Sequence, residues 1–482
     1  IIHSLHQYNT GRWKALMGMK SSTLSEIIGI VGEGHALTGP EEMVCYSYDA
    51  SRIQACPACV AFPGSAREVS EILLLANRER FPVYPRGAGS GMVGASVPSG
   101  EGLVLVMTRL QRILEIDHDE MIARVQPGVV TGALQRAVLE VGLMYPPDPA
   151  SASFSTLGGN VAMSSGGLRA VKYGVTRDYV LGLEVVLPTG SLIRTGTRTA
   201  KGVVGYDLTR LMVGSEGTLG VFTEILLRLV PAPETRRTIL AFFSSLEQAA
   251  DSVCAILRER VVPSALELMD RSAIDVVENY LHLGFDPKAE ALLLIEVDGN
   301  SEAQVEQEYE TIGELCLERG AIEVYVADNY TTQERVWAVR RNIAEAFKVY
   351  SPVQSLEDVV VPFAQIPDLI PELARLSAKY GVTIPCYGHA GDGNLHVTIV
   401  KHPETPLSEW PELECAVLIE LYQAVARLGG TISGEHGIGI KRRDFLPLVM
   451  NEPLISLHRR IKAAFDPNNI LNPGKIWPLS SS

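Results

Sequence analysis

Cysteine is scarce and unpatterned in this chain: seven among 482 residues, an odd number without framework spacing. That excludes a disulfide-stapled secreted scaffold and fits a reducing compartment, read here as the cytoplasm. Cys56 and Cys59 form one CPAC pair, but no second C-x-x-C exists to complete a zinc ribbon or an iron–sulfur set. The pair leads into Val60 and Phe62, a strand-like stretch, so its thiols are read as structural. No apolar run reaches the roughly 18 residues a spanning helix needs. The expectation is a chain without a transmembrane segment, attached to a membrane only through a partner if at all. Clusters of Lys and Arg are also missing, and the net charge is −14. Phosphate neutralisation requires such clusters, so a nucleic-acid partner is excluded. Neither an internal repeat nor a low-complexity tract is visible. Acidic residues are absent before Glu26, whereas His3, His6, Arg12, Lys14 and Lys20 are present. Ser and Arg are too sparse there for a good transit peptide. Residues 1–24 are therefore expected to be an extension, non-native or disordered, with a native start near Met17 or Met19.

What the chain has in abundance is glycine beside polar side chains. Two signatures between Gly388 and Gly439, GHAGDGNLH and SGEHGIG, carry His389, His396, Glu435 and His436. Imidazoles and a carboxylate are borderline ligands that suit a divalent transition metal such as zinc, iron or manganese. Gly, Asp and Asn are also ordinary turn residues, so a pair of solvated turns is the competing reading. Glycine crowding around His and Glu at two separate places favours a built site.

Upstream, Phe81 to Gly94 reads FPVYPRGAGSGMVG, an apolar strand running into a turn with Gly87, Gly89, Gly91 and Gly94. Without Cβ atoms, backbone N–H groups can approach an anion closely and φ can turn positive. The spacing is neither G-x-G-x-x-G ahead of a helix nor G-x-x-x-x-G-K-[ST], so neither the Rossmann nor the P-loop reading is supported. Two more Gly/Ser-rich stretches follow, PPDPASASFSTLGGNVAMSSGGLRAVKYG (Pro146 to Gly174) and GYDLTRLMVGSEGTLG (Gly205 to Gly220). Three such loops suggest one large phosphate-bearing ligand held along much of its length.

The length and the 46% hydrophobic content allow a large core and two or three domains. Ser65 and Glu68 make a capping box ahead of a helix over 66–80. Strands are expected at 103–107, 113–116 and 122–126, a helix at 131–141, and a hairpin over 181–195 turning at Pro188-Thr189-Gly190. A strand over 221–229 closes this half, with Pro231 and Pro233 marking a boundary. Downstream, strands at 238–243, 266–269, 292–297 and 322–327 alternate with helices near 246–260, 271–281 and 301–319. That is an α+β unit of ferredoxin-like character. A helix at 337–350, a strand at 358–361, a helix at 366–380 and a strand at 395–400 follow. A helix at 409–428 then precedes the SGEHGIG loop.

The PRGAGSG loop, PPDP, LGGN, KYGVTRDYV, VGSEGTLG, GHAGDGNLH, SGEHGIG and the closing FDPNNILNPGK stand in this order. In that order they resemble the FAD-linked D-2-hydroxyacid dehydrogenases of the vanillyl-alcohol oxidase flavoprotein superfamily. The resemblance runs from about Ser25 to Pro478. It implies an α+β fold with a two-part FAD-binding domain over 25–233 and a cap carrying substrate and metal over 234–440. Residues 441–482 would return to complete the FAD domain. It further implies FAD contacts at Pro85, Arg86, Gly87, Ala88, Gly89, Ser90 and Gly91, with the pyrophosphate on that loop. Pro147, Asp148, Gly158, Gly159, Ser164, Ser165, Gly167, Glu216, Gly217, Val221 and Asn472 would hold the rest. Some superfamily members link FAD through a histidine in the glycine loop. Ser90 stands there in this chain, which implies non-covalent binding.

Position by position, the resemblance makes His389, His396 and Glu435 the metal ligands and His436 the general base. Arg340, in ERVWAVRRN, matches the arginine that clamps the substrate carboxylate, since a guanidinium fork fits two oxygens. Arg341 should face away, about 100° round the helix. Where 2-hydroxyglutarate enzymes carry a lysine for the distal carboxylate, this chain has Ser355, Leu356 and Glu357, which favours D-lactate or glycolate. No iron–sulfur, haem or dinucleotide signature is present to receive the electrons. The expected acceptor is separate: an iron–sulfur subunit, an electron-transferring flavoprotein or a quinone. The competing readings are a D-2-hydroxyglutarate dehydrogenase, a non-catalytic flavoprotein subunit of an oxidase complex, and a flavin-free metal hydrolase.

Overall fold

Strand Ala291–Gly299, ALLLIEVDG, is buried along all but its last residue, the pattern of a central strand covered on both faces. It lies in a seven-stranded antiparallel sheet with the order Ala321–Ala327, Thr235–Phe243, Ala291–Gly299, Ala265–Asp270, Cys386–His389, Asn394–Val400, Gln354–Val360. Numbered by sequence, the first four strands stand in the order 4-1-3-2, the ferredoxin-like arrangement that the alternation of strand and helix predicts. Helices Leu246–Arg258, Arg271–Leu281 and Glu302–Glu318 connect them. Each is opened by a side chain that accepts an orphan N–H: Ser245, Asp270 and Ser301. The next helix runs from Tyr330 to Tyr350 rather than from Trp337. Asn329 caps it, Oδ1 accepting the Thr332 N–H at 3.0 Å. A core of Met269, Ile274, Leu294, Trp337, Ile343, Phe347 and Tyr387 seats this helix and Arg271–Leu281.

The structure, a computed structural model, describes residues 19–199, 201–282, 288–327 and 329–478. The chain folds into two compact units. The cap unit comprises Gly166–Gly174 and Pro233–Gly434. The short first piece joins it because Lys172 Nζ donates to Asp298 Oδ1 at 2.5 Å and Tyr173 OH to Oδ2 at 2.8 Å. Pattern alone gave no reason to cut this piece out of the upstream domain.

The other unit holds the remaining upstream residues and the segment from Glu435 onward. One sheet is four-stranded, in the order Ala36–Leu37, Cys59–Ala61, Leu103–Val106, Val83–Arg86, with its three longer strands parallel. Helix Ala66–Glu79 packs Val69, Ile72, Leu73 and Ala76 into the core below it. Ser65 accepts the Glu68 N–H at 3.2 Å, as the capping box requires. A second sheet has the order Ile113–Asp117, Ile122–Val125, Val221–Arg228, Val180–Val186, Leu192–Gly196. The returning chain bridges Leu471 to Val83 in parallel, and the Asn472 N–H donates to Val83 O at 2.7 Å.

The start of the chain differs from expectation. Residues 19–24 belong to the fold: helix Ser21–Val31 buries Thr23, Ile27 and Val31, and Met19 and Leu24 pack against the same core. The extension reading otherwise concerns residues 1–18, which lie outside the described residues. All seven cysteines are free thiols, and Cys59 opens a buried strand. No helix of the described residues is long and apolar enough to cross a membrane.

Candidate flavin cleft and histidine row

The glycine loop begins where strand Val83–Arg86 leaves its sheet. A Cβ on Gly87 would overlap Thr156 Oγ1. Gly89, at φ +74°, has the Arg86 guanidinium where a Cβ would sit. These positions therefore exclude any side chain, and the loop presents backbone to the space above it. That space is a cleft of about 230 Å³. Of the positions expected to hold FAD, Pro85, Arg86, Gly87, Ala88, Gly89, Ser90, Gly91, Gly158, Gly159, Ser165, Glu216, Gly217 and Val221 line it. Glu435 and His436 line it too, with 14% of each side chain exposed and Nε2 of His436 3.8 Å from Oε1 of Glu435.

Five expected contacts are not among the residues lining the cleft: Pro147, Asp148, Ser164, Gly167 and Asn472. Three of them hold neighbouring structure in place. Asn472, at φ +47°, donates from Nδ2 to Ala95 O at 3.0 Å and to Glu216 O at 2.6 Å, holding two loops together. Ser164, at φ +52°, ends helix Leu157–Met163 in a left-handed turn. Pro147 O accepts from Gln135. Gly167 belongs to the cap unit. Sequence reasoning in turn missed Met107, Met163 and Phe222, which give the cleft apolar walls. Such residues carry no signal of their own, because in a sequence they read as ordinary core.

Glu216 is buried, at φ +53°, and its carboxylate accepts the N–H groups of Ile438 and Gly439. Burial pushes its carboxyl up from the ordinary range, while those two donors pull it down. Arg86 is buried beneath the loop over the Tyr46 ring, and desolvation lowers its pKa.

In the cap unit, register does the positioning. His389 faces Glu267 across one strand pair, Tyr387 faces His396 across the next, and His396 faces Asp358 across a third. Side chains two apart share a face, so Glu267, His389, His396 and Asp358 form one row over four strands. Gly388, at φ +148°, sits inside this hairpin, where a Cβ would come within 2.7 Å of Asn394 O. The rings of His389 and His396 stand 5.2 Å apart at 80°, with a nitrogen of each within 4.8 Å of the other's.

Glu267 is fully buried and bridges two side chains. His389 Nδ1 lies 2.5 Å from Oε1, and Arg340 Nε donates to Oε2 at 2.5 Å. Burial alone would raise the Glu267 carboxyl, but His389 and Arg340 hold it well below the usual range. Arg340 lies over the Tyr387 ring at 5.4 Å, and Tyr387 stacks on Phe347 at 5.8 Å. Arg341 turns outward to Glu334 at 2.8 Å. On strand Gln354–Val360, Leu356 shares the face of Asp358, whereas Ser355 and Glu357 point the other way. There Glu357 accepts from Ser355 at 2.7 Å and from Tyr422 at 2.5 Å.

Residues 57–196 match the family described as FAD binding domain, and residues 232–476 match FAD linked oxidases, C-terminal domain. The chain is 43% identical over 454 residues to the glycolate oxidase subunit GlcD of Bacillus subtilis, covering 92% of this chain and 95% of that protein. It is 37% identical over 448 residues to a D-lactate dehydrogenase of Anaerostipes hadrus, covering 91% and 94%. Its fold superposes on substrate-bound p-cresol methylhydroxylase with a TM-score of 0.78 at 17% identity, covering 96% and 99%. The ordered glycine loops, the cleft above them and these matches lead to one conclusion: the chain belongs to the FAD-linked oxidoreductases of the vanillyl-alcohol oxidase type.

Proposed function

We propose that this protein oxidises a small D-2-hydroxy acid, D-lactate or glycolate, to the 2-oxo acid on non-covalently held FAD. The observation that carries the reading is the buried row of His389 and His396 beside Arg340, which supplies metal-ligand nitrogens and a carboxylate clamp in one unit. The matched relatives, named for glycolate and D-lactate, support it.

The residues fit both groups. Loop 85–91, where Gly87 and Gly89 exclude side chains, would hold the FAD pyrophosphate, with Gly158, Gly159, Ser165, Glu216, Gly217 and Val221 along the rest. His389 and His396, both in the cap unit, would supply nitrogen ligands to the metal, a donor type suited to zinc, iron or manganese. When bound, FAD supplies a two-electron acceptor and the metal a Lewis acid that lowers the pKa of the substrate hydroxyl.

This chain's own residues orient the substrate and move the proton. Arg340 spends Nε on Glu267, so its Nη1 and Nη2 edge is the part that would grip the substrate carboxylate. A neutral imidazole can remove a hydroxyl proton at neutral pH, and we assign that step to a ring nitrogen of His436. Leu356, apolar on the histidine face, offers no partner for a second carboxylate, whose burial would be heavily penalised. That favours a monocarboxylate over D-2-hydroxyglutarate. Electrons would leave for a separate acceptor: an iron–sulfur subunit, an electron-transferring flavoprotein or a quinone.

A dye-reduction assay comparing D-lactate, glycolate, L-lactate and D-2-hydroxyglutarate tests the reading. The highest kcat/KM should belong to D-lactate or glycolate. Preference for L-lactate or D-2-hydroxyglutarate would contradict it.

A further inference from the structure

Glu267 is a carboxylate with no exposed surface, set in the middle of a buried strand. An ionised side chain there is costly unless its oxygens are matched to donors. Its two oxygens take one partner each: Oε1 lies 2.5 Å from His389 Nδ1, and Oε2 accepts Arg340 Nε at 2.5 Å. The register around it is pinned twice more. Cys386 N–H donates to Asp270 Oδ2 at 2.7 Å and Gly391 N–H to Leu266 O at 3.1 Å, tying both ends of strand Cys386–His389 to strand Ala265–Asp270. Asp358 meets His396 at a longer distance. It stands 3.8 Å from Nδ1 and accepts from Asn394 at 2.7 Å, Ser433 at 2.9 Å and the Gly434 N–H at 3.0 Å.

We propose, resting on the function assigned above, that Glu267 is a positioning residue that couples metal binding to substrate binding. By accepting at Nδ1 of His389, it fixes the tautomer that presents Nε2 to a metal. By accepting at Nε of Arg340, it fixes the guanidinium so that the Nη1 and Nη2 edge faces a carboxylate. One side chain thus sets the orientation of both groups. Glutamine has the same shape but a single acceptor oxygen, so Glu267→Gln can serve only one of the two donors.

The test begins with wild-type protein labelled with ¹⁵N-histidine, its His389 signals identified by their loss in His389→Gln. Metal-free wild type should carry a proton on Nδ1 of His389, and added Zn(II) should shift Nε2. A bare Nδ1, or zinc bound at Nδ1, overturns the proposal, and this measurement needs no variant of Glu267 to fold. In Glu267→Gln, Zn(II) affinity should fall about 10- to 100-fold, and KM for D-lactate should rise by more than kcat falls, with FAD content unchanged. Wild-type zinc affinity together with wild-type KM overturns the proposal. If wild type binds zinc but oxidises no 2-hydroxy acid, the functional reading fails, while the His389 proton still reports on Glu267.

Discussion

Glu216 and Gly439 are joined through a carboxylate: Oε2 of Glu216 accepts the Gly439 N–H at 2.7 Å, while Oε1 accepts that of Ile438 at the same distance. The loop GSEGTLG and the GIG end of SGEHGIG, joined by a bond spanning 223 residues, are thereby held at the cleft. Glu216→Gln leaves one of those N–H groups facing an amide NH₂. A lost bond to a charged acceptor costs about 1.5–3 kcal/mol, so Tm should drop and FAD affinity should weaken. Thermal unfolding with and without added FAD measures both. An unchanged Tm would show that the clamp contributes little.

The flavin should be released by acid precipitation. Ser90 lines the cleft where a histidyl link would form, and a serine cannot supply that bond. Yellow supernatant and colourless pellet are expected. Flavin retained in the pellet would contradict non-covalent binding. Because ligand that binds only the folded state stabilises it, stripping FAD should also lower Tm.

Asp270 sets a pH dependence. Its carboxyl caps helix Arg271–Leu281 and accepts the Cys386 N–H, yet burial pushes it up from 3.8 to about 7. The folded state therefore holds this proton more tightly than the unfolded state does. The group's contribution is complete below pH about 4 and is lost as pH rises through about 7. Asp270→Asn removes that titration and keeps a capping oxygen. Denaturant unfolding across pH 4 to 8 should show a flatter profile in the variant. A profile parallel to wild type would contradict the assignment.

Arg340→Lys should impair turnover despite conserving charge. An ammonium cannot keep the Nε bond to Glu267 and also present a planar fork. KM for any 2-hydroxy acid should rise about tenfold or more, an estimate from the loss of one charge-assisted hydrogen bond. His436→Ala should instead lower kcat about 100- to 10,000-fold, the span for a positioned base. Equal effects of both changes on KM alone would argue against a base at His436.

Much of this was legible in the sequence because local chemistry carried it. The loop at Gly87 and Gly89 needs missing side chains, and helix Arg271–Leu281 follows its apolar period, so each announces itself within a few residues. The row of Glu267, His389, His396 and Asp358 did not. It depends on strand Ala265–Asp270 pairing with Cys386–His389 over a hundred residues later, and a glutamate inside ALELMD reads as ordinary strand. Likewise, Lys172 and Tyr173 look like surface residues until Asp298 is known to meet them. Motif order marks Asn472 as a ligand contact but cannot show that it also ties together the loops at Ala95 and Glu216.

The most direct test of the central claim is the reductive half-reaction. Protein loaded with FAD and Zn(II) or Mn(II) is mixed anaerobically with D-lactate, and the flavin's visible absorbance is followed. The account predicts rapid bleaching by D-lactate or glycolate and none by L-lactate. It also predicts loss of bleaching in protein stripped of metal and in His389→Ala and His396→Ala, each with its FAD retained. Undiminished bleaching by D-lactate after exhaustive metal removal would contradict it.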